Sequence, residues 1–181
     1  MTVTETNLKG CFIIEPKVFL DERGEFFESF HKKKLEEALG LSLNFVQDNQ
    51  STSRQGVLRG LHFQEGEHAQ AKLVHVIKGE VLDVVVDLRP ESRTFGRHIS
   101  IELSDTNRKQ IFIPKGMAHG FLVKSAEAVF AYKCDAYYHQ VSESGIIYSD
   151  DTLNIDWEYP QDKILLSEKD SKLATFKEWC L

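Results

Sequence analysis

Only three residues are cysteines, Cys11, Cys134 and Cys180, and no two of them form a CxxC pair. Such an odd, scattered set excludes a disulfide frame and a thiolate zinc site, and reads as ordinary thiols in a reducing compartment. There is no internal repeat, no low-complexity tract and no linker rich in proline or serine. No apolar run approaches the roughly 20 residues of a membrane-spanning helix. The opening MTVTETNLKG has neither the basic nor the apolar region of a secretory signal. An excess of positive charge is also missing: 22 Lys and Arg stand against 28 Asp and Glu, for a net charge of -6. That balance argues against nucleic acid or a membrane surface as partner, although a local basic cluster can still hold a small anion. The expectation is a cytoplasmic chain folded as one domain over residues 1–181, long enough to bury a core.

What is present is mostly β pattern. Leu8 to Glu15 reads as a short apolar strand stopped by Pro16, and Val18 to Leu20 as another ending in the turn Asp21-Glu22-Arg23-Gly24. Glu25 to Phe30 alternates. The segment HKKKLEEALG from His31 is the one early helix, closed by Gly40. Lys72 to Lys78 and Val81 to Leu88, separated by Gly79-Glu80, read as a hairpin. His98 to Leu103 alternates with Ile99, Ile101 and Leu103 inward. Gln110 to Ile113, Gly120 to Val123 and Ala128 to Cys134 are three more short strands. Leu165 to Trp179 reads as a helical appendage with Leu173, Phe176 and Trp179 toward the body. Short strands at this spacing predict an all-β sandwich or barrel with a pocket in its mouth.

The stretch QDNQSTSRQGVLRGLHFQEGEHAQAK, Gln47 to Lys72, gathers Arg54, Arg59, His62, Lys72 and the amides Gln47, Asn49 and Gln64 around three glycines. It reads either as the rim and floor of a small-molecule pocket or as a long solvated loop. Lys72 shares strand parity with Val74 and Val76, so it either serves a site or snorkels to solvent. Tyr132 shares parity with Ala128, Phe130 and Cys134, which suits a core tyrosine as well as an inward acid. His62 follows a glycine that lets backbone approach a ligand, and His119 lies in IPKGMAHGF, read as a Pro-Gly turn. His75, of opposite parity to Lys72, reads as structural, and His31, His68, His98 and His139 carry no assigned role. Ser167-x-x-Asp170 has the spacing of a helix capping box, and Asp170 could instead orient a histidine; on spacing alone the cap is favoured.

Gly56 to His62 and Pro114 to Gly120 resemble the two sequence boxes of the cupin superfamily. The second histidine position of a metal-binding cupin is Gln64 here. One imidazole and an amide make a poor first-row metal site, so no metal is expected.

The ordered motifs DERGEFFESF, QDNQSTSRQGVLRGLHFQ, QAKLVHVIKGEVLDVVVDLR, FIPKGMAHGF, YKCDAYY, ESGI and LSEKD resemble the dTDP-4-dehydrorhamnose 3,5-epimerase family from about Gly10 to Asp170. The resemblance implies a cupin-like double-stranded β-helix, a jelly-roll barrel, with short helices near residue 31 and at the C-terminus. It implies epimerisation of dTDP-4-keto-6-deoxy-D-glucose at carbons 3 and 5, in dTDP-L-rhamnose synthesis, without cofactor or metal. By the same resemblance His62 is the base, Asp170 its carboxylate partner, Tyr132 the acid, and Lys72 the cation beside the enolate oxygen with His119 nearby. Nucleotide and phosphate contacts fall on Arg23, Glu28, Gln47, Asn49, Arg59, Glu143 and Lys169, and Tyr138 stacks on the thymine. A homodimer with exchanged N-terminal strands is implied, Arg23 and Glu28 being candidates to serve the other subunit. Arg93 and His75 depart from residues common in the family, and both look peripheral to the reaction. The chemistry fits independently: carbons 3 and 5 flank a keto group, so a base, an oxyanion-stabilising cation and an opposed acid suffice. A single-carbon epimerase and a silent nucleotide-sugar binder are the alternative readings.

Overall fold

The computed structural model describes all 181 residues, Met1–Leu181. The chain opens with β1 (Thr2–Glu5), β2 (Phe12–Glu15), β3 (Val18–Asp21) and β4 (Gly24–Phe27), then the helix α1 (Lys32–Leu39). The strands β5 (Gln47–Arg54), β6 (Leu58–Gln64), β7 (Lys72–Lys78), β8 (Glu80–Asp87) and β9 (His98–Ser104) follow. The last strands are β10 (Gln110–Ile113), β11 (Met117–Val123), β12 (Glu127–Cys134) and β13 (Glu143–Gly145), and α2 (Phe176–Trp179) ends the chain. One sheet has the order β1-β2-β10-β7-β12-β5, the other β13-β6-β11-β8-β9, and β3 pairs only with β4. All strand pairings are antiparallel. This is the expected all-β, cupin-like jelly roll.

Strand parity sorts the core into three layers. Val74, Val76, Val81, Val85, Phe121 and Phe130 meet between the sheets. The alternate residues of β8, Leu82, Val84 and Val86, pack on the far side with Ile146, Trp157 and Phe176. That second apolar face is why β8 reads as a nearly unbroken apolar run. On the outer face of the larger sheet, Leu73 and Phe112 lie under Leu35 and Leu39 of α1. His31 caps α1 by accepting from the Lys34 N–H, and Gly40 closes the helix in the left-handed conformation.

Several expectations are corrected. Of the two readings of the stretch from Gln47 the solvated loop fails, since it forms the strands β5 and β6, and β1 is an additional strand. The strand read from Leu8 is shorter, since Leu8 and Cys11 precede β2 as buried residues, and the alternating segment read to Phe30 ends as β4 at Phe27. No hairpin joins β7 and β8: they belong to different sheets, and Gly79 is the corner where the chain crosses. Gly79 adopts φ +82°, and a Cβ there would lie 2.2 Å from the Glu127 carbonyl oxygen. Two adjacent strands with a glycine between them look alike in sequence whether they pair or diverge. The expected C-terminal helix is a strap instead. It bridges Val57 to Leu165 and Ile146 to Ala174, and only the 3-10 turn Asp170–Lys172 and the short helix Phe176–Trp179 coil, Thr175 and Glu178 forming the capping box of the latter. Phe176 and Trp179 do face the body, the Trp179 ring standing edge-on to Phe63 at 5.5 Å.

Gly79→Ala should destabilise the chain by about 2 kcal/mol or more, because both the positive φ and the close backbone work against a Cβ. Chemical denaturation monitored by fluorescence measures it, and an unchanged midpoint would refute the corner's role.

Candidate active site

Between the two sheets lies a cavity of about 790 Å³ whose lining includes His62, Lys72, His119, Tyr132 and Asp170. The smaller sheet supplies His62 from β6 and His119 from β11. The larger supplies Lys72 from β7 and Tyr132 from β12. His62 and His119 are direct partners in the β6–β11 register, and a bulge follows between His119 and Phe121. The strands close tightly there: a Cβ on Gly60 would sit 2.6 Å from the Gly120 Cα. His119 is thus a buried strand residue, and the turn expected around it ends before β11 begins at Met117.

Asp170 arrives from the C-terminal strap. Its N–H donates to Ser167 Oγ at 3.0 Å, which is half of the capping motif its spacing suggests. Its carboxylate instead turns into the barrel, Oδ1 lying 2.7 Å from His62 Nε2 and Oδ2 accepting from the Gly60 N–H at 3.4 Å. Burial alone would raise the Asp170 carboxyl, but the hydrogen bonds from His62, Gly60 and Ser167 outweigh it and hold the group below the usual carboxylate range. With Nε2 committed to an ionised carboxylate, His62 Nδ1 is the free nitrogen.

Lys72 is half-buried, its ammonium 6.0 Å from the Tyr132 ring centroid. It lines the cavity rather than reaching past it to solvent. Burial lowers its pKa from the ordinary lysine value. Burial likewise raises the Tyr132 phenol, which keeps its hydroxyl a neutral donor at pH 7. Cys134, opposite Lys72 in the β12–β7 register, sits beneath them with Asn49 Nδ2 3.8 Å from its sulfur. Cys11, Cys134 and Cys180 are all free thiols. His75 lies on the opposite face of β7, where burial lowers its pKa.

The mouth is held by a polar ring. The Tyr138 N–H donates to Gln47 Oε1 at 2.9 Å, and its O–H to Glu143 Oε2 at 2.7 Å. Glu143 also pairs with Lys169. Burial would raise Glu143, and those two partners outweigh it, so its carboxyl stays low. Gln47 Nε2 donates to Asn49 Oδ1 at 3.0 Å, and Arg59 Nε to Ser53 Oγ at 3.1 Å. Gln64 accepts from the His139 N–H at 2.9 Å, and no group of three or more His, Cys, Asp or Glu is arranged to hold a metal.

Eleven of the thirteen residues expected at the site therefore line one cavity. Arg23 and Glu28 do not: Arg23 pairs with Asp21 on the exposed β3–β4 hairpin, and Glu28 pairs with Lys34. The lining also includes Ser51, Arg54 and Gln70. Sequence reading passed over Asp83, whose Oδ2 lies 2.8 Å from His119 Nε2 with the carboxylate fully buried. Its signal was available: a carboxylate inside the apolar run VLDVVV.

A jelly roll that gathers an imidazole–carboxylate pair, a lysine and a tyrosine around one cavity is a cupin-like barrel. The dTDP-4-dehydrorhamnose 3,5-epimerase family model matches residues 5–178. The epimerase of that name from Escherichia coli K12 is 50% identical over 179 residues, covering 98% of this chain and 96% of its own. The crystal structure of the Elizabethkingia anophelis epimerase superposes with a TM-score of 0.95 at 53% identity, covering 98% of this chain and 97% of that one. The Legionella pneumophila enzyme, solved in complex with dTDP-4-keto-L-rhamnose, superposes with a TM-score of 0.93 at 50% identity, covering 97% and 93%. The chain belongs to the dTDP-4-dehydrorhamnose 3,5-epimerase family.

Asp170→Asn preserves the shape but removes the charge beside His62. Turnover should fall by at least about a hundredfold while dTDP affinity holds, since such a carboxylate sets tautomer and stabilises imidazolium. Steady-state kinetics with calorimetric dTDP binding reads both; undiminished turnover would show that the contact is only structural.

Proposed function

We propose that this chain, acting as one domain over residues 1–181, inverts carbons 3 and 5 of dTDP-4-dehydro-6-deoxy-D-glucose. The product is dTDP-4-dehydro-L-rhamnose. The observation that carries the reading is the origin of the acid and base: His62 stands on one sheet and Tyr132 on the other, across a shared cavity. Inversion asks for removal of a proton on one face of the sugar and return on the other.

In this reading His62 Nδ1 takes the proton from carbon 3 or 5, and Asp170 stabilises the imidazolium formed. The electrons pass to the 4-keto oxygen as an enolate, beside Lys72 and His119. Tyr132 donates its phenolic proton from the opposite face, and water restores both groups. The 4-keto group already acidifies both carbons, so the chemistry asks for no organic cofactor or metal. Arg59 and Lys169 face the diphosphate, guanidinium groups being suited to paired phosphate oxygens. Tyr138, fixed by Gln47 and Glu143, presents its ring to the thymine. The ligand of the Legionella relative, a dTDP-linked keto sugar, has the same chemistry.

The reading extends to a cytoplasmic homodimer. The β3–β4 hairpin pairs with nothing else and leaves Phe19, Leu20 and Phe26 exposed by 52%, 78% and 66%. A lone hairpin with an apolar face is marginal in water, and an exposed face of this kind marks an interface. β5 is a sheet edge carrying Gln47 and Asn49 at the cavity. Placed along a partner's β5, the hairpin carries Arg23 and Glu28 to that partner's pocket.

In heavy water the wild type should incorporate deuterium at carbons 3 and 5, read by NMR. His62→Ala should abolish exchange at both, whereas Tyr132→Phe should retain exchange yet form little inverted product. Label at one carbon would make the chain a single-carbon epimerase, and none with ligand bound would make it a binding module. Phe26→Asp should convert the dimer to monomer in analytical ultracentrifugation and raise KM; a wild-type monomer would overturn the exchange.

A further inference from the structure

The barrel holds two imidazole–carboxylate pairs, and they differ in how the carboxylate is supported. Asp170 takes bonds from His62 and the Gly60 N–H. Asp83 takes one, from His119, and its Oδ1 has no partner although it is fully buried. Asp83 sits in β8 opposite Phe121 of β11 and Ile101 of β9, with Val81 and Val85 on the same face. The titratable groups facing it are His119 from β11, Lys72 from β7 and Cys11 from the turn before β2. An ionised carboxylate with a bare oxygen in such surroundings is costly unless a proton stays with the pair. Burial accordingly pushes the Asp83 carboxyl up, against the pull of His119 and Lys72, the reverse of the Asp170 direction.

Two protons shared by Asp83 and His119 give either a carboxylic acid with a neutral imidazole or a carboxylate with an imidazolium. Nε2 faces Asp83 in both, so Nδ1 carries a hydrogen in both. That nitrogen has no protein partner. It is not among the fully buried unpartnered atoms, which are Asp83 Oδ1 and Arg108 Nε, and His119 lines the cavity. Nδ1–H is therefore open to a ligand.

We propose that Asp83 is a positioning residue that keeps a proton on His119 Nδ1, so that the His119–Asp83 pair donates a hydrogen bond to the enolate oxygen while the His62–Asp170 pair accepts a proton from carbon. The inference rests on the epimerase reading and deepens it. The two pairs are built from the same side chains and work in opposite senses, because one carboxylate is hydrogen-bonded as an anion and the other is not. The His119 proton stays on nitrogen throughout, so the pair needs no recharging between the two inversions.

The test uses full-length protein with ¹⁵N-labelled histidine at neutral pH, ring nitrogens being read by two-bond proton–nitrogen correlation. His119 is assigned by loss of its signals in His119→Gln, and His62 by loss in His62→Ala. The wild type should show hydrogen on His119 Nδ1 and a bare Nδ1 on His62, and Asp83→Asn should bare the Nδ1 of His119. Asp83→Asn should also slow deuterium incorporation at both carbons on the order of a hundredfold, as for loss of an oxyanion donor, with dTDP affinity within about twofold. Retained dTDP binding reports that this variant is folded, and the wild-type spectrum does not depend on it. A bare Nδ1 on wild-type His119, or wild-type exchange rates in Asp83→Asn, would overturn the inference. A wild type that binds dTDP and exchanges neither carbon would overturn the epimerase reading instead, whatever the spectrum shows.

Discussion

The 2.7 Å contact between His62 Nε2 and Asp170 Oδ1 joins residues 108 positions apart, and much of the chain is arranged to hold it. Neither partner has a local reason to meet the other. Asp170 stands on a strap with little regular structure, held across the smaller sheet by short bridges at Leu165 and Ala174. Farther along, the buried Asp150 accepts from the Phe176 N–H, and Trp179 donates to Glu65. Apolar burial of Ile146, Trp157 and Phe176 thus places a carboxylate behind an imidazole. The favourable energy comes from the apolar layer, and the electrostatic contact depends on it.

The same barrel must carry charge and exclude water at once. Lys72, Asp83, His119 and Tyr132 project among valines and phenylalanines, and burial shifts the three pKa values resolved among them, those of Lys72, Asp83 and Tyr132, toward the neutral form. The exception inside the cavity is Asp170, stabilised as an anion by donors on three sides. Burial that opposes charge on Lys72, Asp83 and Tyr132, and donors that favour it on Asp170, push neighbouring side chains of one cavity in different pKa directions. Two sheets also separate His62 and His119 from Lys72 and Tyr132 in space. Side chains from one sheet approach a ligand from one face, and those from the other sheet from the opposite face.

Parity along the strands made part of this legible. Lys72 with Val74 and Val76, and Tyr132 with Phe130 and Cys134, follow from a period of two, and both residues lie where that period puts them. The helix from Lys32 was readable because its cap and its closing glycine are local. The β7–β8 connection was not, because Gly79 permits either a tight hairpin or a change of sheet. Spacing alone left the Asp170 carboxylate undecided for the same reason: Ser167 does cap its N–H, and the capping pattern says nothing about where the carboxylate points, so only the family resemblance paired it with His62. Asp83 was passed over because a lone acid in an apolar strand acquires meaning only from its partner on β11. Arg23 and Glu28 stand apart from the cavity within one chain, on a hairpin whose surroundings the chain alone does not supply.

By itself the sequence determined the class of fold, the inward set of Lys72 and Tyr132, and the family to which the ordered motifs belong. These are properties of local periodicity and of residue identity along the chain. Tertiary structure alone decided which sheet each strand joins and that Asp83 backs His119, and it alone supplies the geometry by which Asp170, paired with His62 only through the family's motifs, reaches that imidazole. Those depend on contacts between residues far apart in sequence, selected by how two sheets and a strap bury apolar surface together, and no spacing along the chain encodes them.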